Sequence, residues 1–227
     1  MAVISLIKIR APIRFKDALE IQHLHGAELE NTPEKLAKLI FLQHSPVYTL
    51  GRKTEKNHLL CSENDLSVRT GAEVIHVDRG GSVTYHAPGQ IVAYLLLNLK
   101  VWNIGIHEHL RLLEDAAVRT LSGFGISGQR EPGMTGIWVP PKTAGASEKI
   151  CAIGVSARRW VTYHGLALNV DLPLEPFSEV VACGLDGRGV TSMAKQTDRT
   201  ICISDVEDAM AKAFGEAYSA KVEIGMV

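Results

Sequence analysis

The chain of 227 residues has almost no net charge, −1 at pH 7, so no overall field draws it to nucleic acid or an anionic membrane; electrostatic recognition must come from a local patch. It also lacks long apolar runs. The longest, Ile91 to Leu97, is less than half of what a helix needs to cross a bilayer. The start, MAVISLIKIRAPIRF, is broken by Lys8 and Arg10 and offers neither an apolar signal core nor a small-residue cleavage site, so it reads as a first strand. The expectation is a cytoplasmic protein without a membrane span. Four cysteines, Cys61, Cys151, Cys183 and Cys202, include no Cys-x-x-Cys pair, which favours reduced thiols over a disulfide framework. There is no Gly-x-x-x-x-Gly-Lys-Ser/Thr loop for nucleotide phosphates and no Gly-x-Ser-x-Gly nucleophile elbow. Nine histidines invite a metal, yet His23-x-His25 and His107-x-His109 lack the i,i+4 helical spacing and an adjacent Cys pair, so none is expected. Gly123-Phe-Gly-Ile-Ser-Gly128 matches the dinucleotide pattern only by chance, because it follows a helical stretch rather than a strand.

What is present centres on residues 79–90, Arg-Gly-Gly-Ser-Val-Thr-Tyr-His-Ala-Pro-Gly-Gln, a polar hinge with a turn at each end. Before it, Glu73 to Asp78 alternates as a half-buried strand; after it, Ile91 to Leu97 is a fully apolar one. Periodicity predicts helices over Arg14 to Leu29 and Ile106 to Leu121, the latter with Ile106, Leu110, Leu113, Ala117 and Leu121 as its apolar stripe, and a short helix is expected over Asn64 to Gly71. His107, Glu108, Arg111 and Glu114 fall on its other face. Strands are expected at Leu36 to Leu42, Val47 to Arg52 and Gly136 to Val139. A long hairpin over Lys149 to Val170 turns at Arg158-Arg159, and the loop from Pro140 to Ser147 has the composition of a mobile lid. The last element, Ser204 to Lys221, opens with the capping-box pattern Ser204-Asp-Val-Glu207. One domain over residues 1–227, a mixed sheet flanked by helices in the α/β class, accommodates this order.

With phosphate loops and metals set aside, thiol chemistry remains. Cys183 lies in a Gly-rich turn after a short helix, where a thiol can be exposed. Cys151 and Cys202 sit in strand-like apolar runs, where a buried structural thiol is the default, and Cys61 follows Leu59-Leu60 in the same way. Residue types alone leave all four open as nucleophiles.

Five ordered blocks narrow the choice. Residues 79–90, His44-Ser-Pro-Val-Tyr-Thr-Leu-Gly-Arg52, Lys149-Ile-Cys-Ala-Ile-Gly-Val155, His164-Gly-Leu-Ala-Leu-Asn-Val170 and Cys183-Gly-Leu185 together resemble the lipoyl(octanoyl) transferase family. The resemblance implies an α/β fold like that of the biotin and lipoate protein ligases. It implies transfer of an octanoyl group from octanoyl-acyl carrier protein to a lysine of a lipoyl domain through a thioester on the enzyme. The acceptors would be the lipoyl domains of 2-oxoacid dehydrogenase complexes and the glycine cleavage H protein. No cofactor, metal, nucleic acid or membrane is implied, and the enzyme would act as a monomer. Cys183 matches the acyl-carrying cysteine and Lys149 its partner lysine. Arg79, Gly80, Gly81, Ser82, Val83, Thr84, Tyr85 and His86 correspond to substrate-lining positions, as do Ala152, Ile153 and Gly154, and Gly165, Leu166 and Ala167. Ala87 departs from the family's His-Gly-Pro-Gly-Gln; if that position needs positive φ, the turn is displaced.

The chemistry is consistent with these residues. A thiolate is the nucleophile, and an ammonium beside it favours the ionised thiol and can pass a proton. Thioester exchange is nearly balanced in free energy and needs no ATP. Two rival readings are an ATP-dependent lipoate or biotin ligase, which would not need Cys183, and a non-catalytic module that binds carrier or lipoyl domains. Arg158 and Arg159, with Lys142, are the expected basic patch for an acidic carrier protein.

Overall fold

The computed structural model describes residues 1–141, 145–181 and 188–225. Along the chain run β1 (Val3–Lys8), α1 (Phe15–Glu30), β2 (Leu36–Leu42), β3 (Val47–Leu50), α2 (Glu63–Thr70), β4 (Glu73–His76), β5 (Val83–His86) and β6 (Gln90–Leu97). There follow α3 (Leu99–Trp102), α4 (Ile106–Gly123), β7 (Gln129–Glu131), β8 (Met134–Val139), β9 (Glu148–Arg158), β10 (Val161–Asn169), α5 (Met193–Thr197), α6 (Ile203–Ala217) and β11 (Lys221–Ile224). Eight strands make one mixed sheet in the order β11-β1-β2-β6-β10-β9-β8-β7, and β4-β3-β5 make a second, small one. In the large sheet β1 pairs in parallel with β2 and β11, and the remaining neighbours are antiparallel. This is the mixed sheet flanked by helices that the element order suggested.

Strand alternation gives the large sheet two apolar faces. From β6, Ile91, Ala93, Leu95 and Leu97 join the core under α4 and α6 with Leu113, Ala117, Leu121, Met210 and Phe214. Val92, Tyr94 and Leu96 face the other way, toward Ala18 and Leu29 of α1. Helix α1 buries Phe15, Ala18, Gln22, Gly26 and Leu29, the three- and four-residue spacing of a single helical stripe. The small sheet packs its own cluster, Tyr48, Val83, Tyr85 and Phe177, beside that face. No described helix is long and apolar enough to cross a membrane.

Several expectations change. Residues 79–90 are not a bare hinge: Val83–His86 is a buried strand, β5, paired with β3, because Val83, Thr84 and Tyr85 are strand formers on a pleated surface. Ala87 does not strain its turn, since the positive φ there (92°) belongs to Gly89 and Ala87 is simply buried. Helix α6 starts at Ile203 with Cys202 as its N-cap residue, so Ser204 lies inside the helix and no capping box forms there. Cys202 is accordingly exposed rather than buried. The chain after α6 ends in a strand, β11, instead of more helix. Glu114, on the face of α4 opposite the apolar stripe, is nevertheless 1 % exposed. Lys142 in the expected lid, and Cys183 with its Cys183-Gly184-Leu185 turn, lie outside the described residues.

Candidate active site

The site lies between the α1 face of the large sheet and the small sheet. Small residues on the paired strands β9 and β10, Ala152 and Gly154 against Gly165 and Ala167, leave room that larger side chains would fill. The resulting cavity encloses about 470 Å³ of space, its open mouth included. Arg79, Gly81, Ser82, Thr84 and His86 line it from the central stretch, Ala152, Ile153 and Gly154 from β9, and Gly165, Leu166 and Ala167 from β10. Gly80, Val83 and Tyr85 do not line it: Val83 and Tyr85 alternate onto the opposite face of β5, into the small-sheet core. Phe15, Val92, Tyr94 and His164 complete the wall, and none of them was singled out as a lining residue from the sequence. A readable signal existed only for His164, a histidine inside an otherwise apolar strand run.

A directed hydrogen-bond chain fixes the polar side of this wall. The Arg79 guanidinium donates to Thr49 Oγ1 (Nη2, 2.7 Å) and to the Thr49 carbonyl (2.6 Å). The Thr49 hydroxyl therefore donates onward to His86 Nε2 (3.4 Å), and His86 Nδ1–H donates to Gln90 Oε1 (2.7 Å). Gln90 Nε2 donates to Asn169 Oδ1 (2.9 Å), and Asn169 Nδ2 donates to the Thr191 carbonyl (2.9 Å). Thr191 N–H in turn donates to the Lys149 carbonyl (3.0 Å), so the central stretch is tied to the backbone of β9. Every side chain in this chain is buried, which makes a broken link costly.

Three buried histidines stand around Phe15, whose ring centroid is 5.1 Å from His44, 6.5 Å from His86 and 6.2 Å from His164. His44 Nδ1–H donates to the Ile13 carbonyl (3.3 Å), so its Nε2 accepts from the Tyr94 hydroxyl (2.7 Å). Burial pulls the His44 pKa down to about 4 and holds His86 well below the ordinary value. His164 is lowered by burial too, against the opposing pull of Asp78. Its Nε2–H donates to Asp78 Oδ1 (2.8 Å), and that bond holds the Asp78 carboxyl below the usual range. The pair is a neutral imidazole on a carboxylate. His164 also adopts a left-handed backbone (φ 63°), the kind of strain that accumulates at functional positions.

Lys149 lines a second recess with Lys53, His58, Thr135, Gly81, Ser82 and Ile153; the last three also line the cavity, so the two spaces adjoin. Lys149 is 7 % exposed; its Nζ donates to the Thr135 carbonyl (3.3 Å) and lies 4.7 Å from the centroid of the Trp138 ring. His58 Nδ1 accepts from the Glu55 amide (3.0 Å), and so Ser82 Oγ–H donates to it as well (2.7 Å). The described chain on both sides of residues 182–187 is bonded here: Val181 N–H to the His58 carbonyl (2.9 Å), and the Gly189 carbonyl to Lys149 N–H (2.9 Å).

Cys151 differs from its neighbour Lys149. It is fully buried in the core under α4, and burial pushes its thiol up to about 12. Cys202, at the start of α6, and the half-buried Cys61 line neither space. Among the described residues no cluster of His, Cys, Asp and Glu has the make-up of a metal site. The hairpin tip at Arg158 and Arg159 is nine residues along β9 from Lys149, about 30 Å for extended chain, and Arg159 is paired with Glu30 (3.0 Å).

The lipoyl protein ligase A/B catalytic domain family matches residues 16–215. An octanoyltransferase of Christiangramia forsetii is 39% identical over 92% of this chain and 88% of its own length. One from Bacteroides fragilis is 40% identical over 90% and 89%. Among solved structures, a bipartite lipoate protein ligase from Thermoplasma acidophilum superposes with a TM-score of 0.78 at 16% identity, covering 100% of this chain and 88% of that one. A biotin protein ligase from Aquifex aeolicus gives 0.55 at 12% identity, over 95% and 70%. These structural likenesses concern the fold alone.

Proposed function

The chain belongs to the lipoyl protein ligase A/B catalytic domain family, and on that premise we propose that it is an octanoyltransferase of protein lipoylation working through a thioester on Cys183. The donor is octanoyl-acyl carrier protein. The acceptor is a lysine of a lipoyl domain, in the 2-oxoacid dehydrogenase complexes or the glycine cleavage H protein. The observation that carries the reading is the adjacency of a mainly apolar cavity to the recess that holds Lys149, with the backbone on both sides of residues 182–187 bonded to that recess.

In the first step the Cys183 thiolate adds to the thioester carbonyl, the bond from that carbon to the carrier sulfur breaks, and the carrier thiolate takes up a proton. The Lys149 ammonium favours the Cys183 thiolate and supplies that proton. In the second step the acceptor amine adds to the acyl-enzyme, loses a proton to Lys149, and expels the Cys183 thiolate as the amide forms. The octanoyl chain occupies the cavity over β9 and β10. The Arg79–Thr49–His86 chain holds the wall, and Cys151, buried with its thiol pushed up to about 12, stays a thiol throughout. The three-residue family signal at Cys183 and the octanoyltransferase relatives favour this route over an acyl-adenylate.

The test is mass spectrometry of the protein after incubation with octanoyl-acyl carrier protein and no nucleotide. One octanoyl mass on the peptide containing Cys183 is expected. An adduct on Cys151, or an adduct that forms only with ATP, overturns the thioester route.

A further inference from the structure

Glu114 has no place in the chemistry above and lies opposite the apolar stripe of its helix, yet it is 1 % exposed in the middle of α4. A carboxylate taken out of water must be compensated. Its Oε2 accepts from Arg111 Nη1 (2.6 Å) and Arg130 Nε (2.8 Å), both on side chains that reach solvent. Its other oxygen, Oε1, turns inward and accepts from the backbone N–H of Gly136 (3.3 Å). That N–H belongs to the same peptide unit as the Thr135 carbonyl, which accepts from Lys149 Nζ (3.3 Å).

One peptide thus joins a buried carboxylate to the ammonium of the recess. A hydrogen bond to the N–H of an amide polarises its carbonyl and strengthens the bond that carbonyl accepts. Sequence permits this placement because residue 136 is glycine: its φ is 112°, and a Cβ there would stand 2.6 Å from the Cys151 carbonyl oxygen and 3.5 Å from Lys149 Cε. Trp138, two residues on, offers its ring face to the same ammonium, so β8 holds Lys149 from two sides.

We infer that Glu114 is a positioning residue for Lys149, acting through the Thr135–Gly136 peptide to hold and favour the ammonium. The inference builds on the role proposed for Lys149 but is read without substrate. Lysine side chains are labelled with trace acetic anhydride across a pH series, and the modified peptides are quantified by mass spectrometry. The exposed Lys100 and Lys212 serve as internal standards. Glu114→Gln keeps the shape and an acceptor for Gly136 but removes the charge, so the midpoint of Lys149 labelling falls by about half a pH unit, a roughly threefold change in reactive amine. Glu114→Leu, which also loses the acceptor, moves it further, and the reference lysines do not move. A Lys149 midpoint unchanged in folded Glu114→Gln overturns the inference.

If Glu114→Gln does not fold, Arg111→Gln decides, because that arginine side chain is 62% exposed and its loss leaves the carboxylate less neutralised. The Lys149 midpoint then rises; no change or a fall overturns the inference. In the transfer reaction Glu114→Gln lowers the rate at saturation and leaves KM for the carrier unchanged. Should Lys149→Ala retain full transfer, the proposed chemistry fails while the labelling result stands.

Discussion

The two faces of the large sheet are equally hidden from water and built by opposite rules. Under α4 and α6, Leu113, Ala117, Leu121, Met210 and Phe214 close on Leu39, Phe41, Ala93 and Leu95 in an apolar core. Under α1 and the small sheet, the alternate residues of the same strands meet Arg79, His86 and His164 around a cavity, with His44 bonded to Tyr94 of its wall. On β6 the division falls between neighbours, Ala93 to one side and Tyr94 to the other. Burial alone does not mark function here. Incomplete packing combined with satisfied polar groups does, because unfilled space beside a buried arginine is unfavourable for stability and useful only if something enters it.

The largest effect is expected at Lys149, in the recess beside the cavity. Lys149→Ala is expected to slow acyl-enzyme formation by about 10²–10⁴-fold near neutral pH, with an unchanged circular dichroism spectrum. A near-normal rate would reduce Lys149 to a strand-end lysine. In the apolar core under α4 and α6, Leu121→Ala should cost about 2–5 kcal/mol in denaturant unfolding, through lost transfer energy and a residual cavity. Below the new melting temperature it should leave the transfer rate alone, and a parallel loss of rate would mean that the faces are coupled.

Acid sharpens the contrast next, because the histidine-rich face carries three buried imidazoles and the apolar face one, His109, lowered by burial to about 3. With the folded pKa of His44 lowered to about 4, the unfolded chain takes the proton first as pH falls. Stability is full above about pH 6.5 and is lost toward pH 4, by on the order of 3 kcal/mol for His44 alone. Urea titrations at pH 7, 5.5 and 4.5 should show this decline, and a flat profile would mean that the histidines are not held neutral.

A smaller effect is expected from Gly154→Ala, whose Cβ would meet the Gly80 carbonyl oxygen at 2.8 Å and Arg79 Cδ at 3.2 Å. Pushing the Arg79 turn aside should raise KM for the octanoyl donor about tenfold, equivalent to about 1.4 kcal/mol, while shorter acyl donors suffer less. Equal loss for all chain lengths would separate Gly154 from the acyl cavity. The weakest effect concerns salt. Arg52, Lys53 and Lys56 are exposed on the loop that runs into the recess, whereas Arg158 and Arg159 lie at the far end of β9. Reversing the charges of the loop should remove most of the roughly few-fold salt dependence of transfer from an acidic carrier, and reversing the hairpin-tip pair should not.

Much of this was legible in order along the chain. Helices α1 and α4 follow from apolar periodicity, strand β2 from β-branched and aromatic content and strand β6 from an unbroken apolar run, all of them local signals. The ends of strand β11 and helix α6 are not legible in the sequence: four residues of strand carry little pattern, and Ser204 fits a cap that the chain does not use. Val83 and Tyr85 were grouped with the cavity because they stand in the right stretch, but alternation on β5 turns them away.

By itself the sequence determined the elements that meet at the cavity and its recess: the Arg79 to Gln90 stretch, the Lys149 strand, and small residues at Ala152, Gly154, Gly165 and Ala167. Only the tertiary structure decided that Phe15, Val92, Tyr94 and His164 close the cavity, that Cys151 is sealed in the core, and that Glu114 reaches Lys149 through one peptide. The reason is physical. Periodicity records which side of an element is buried, whereas what a buried group faces depends on the register and crossing of elements distant in sequence, here α4 over β8 and β9 and α1 over β6 and β10.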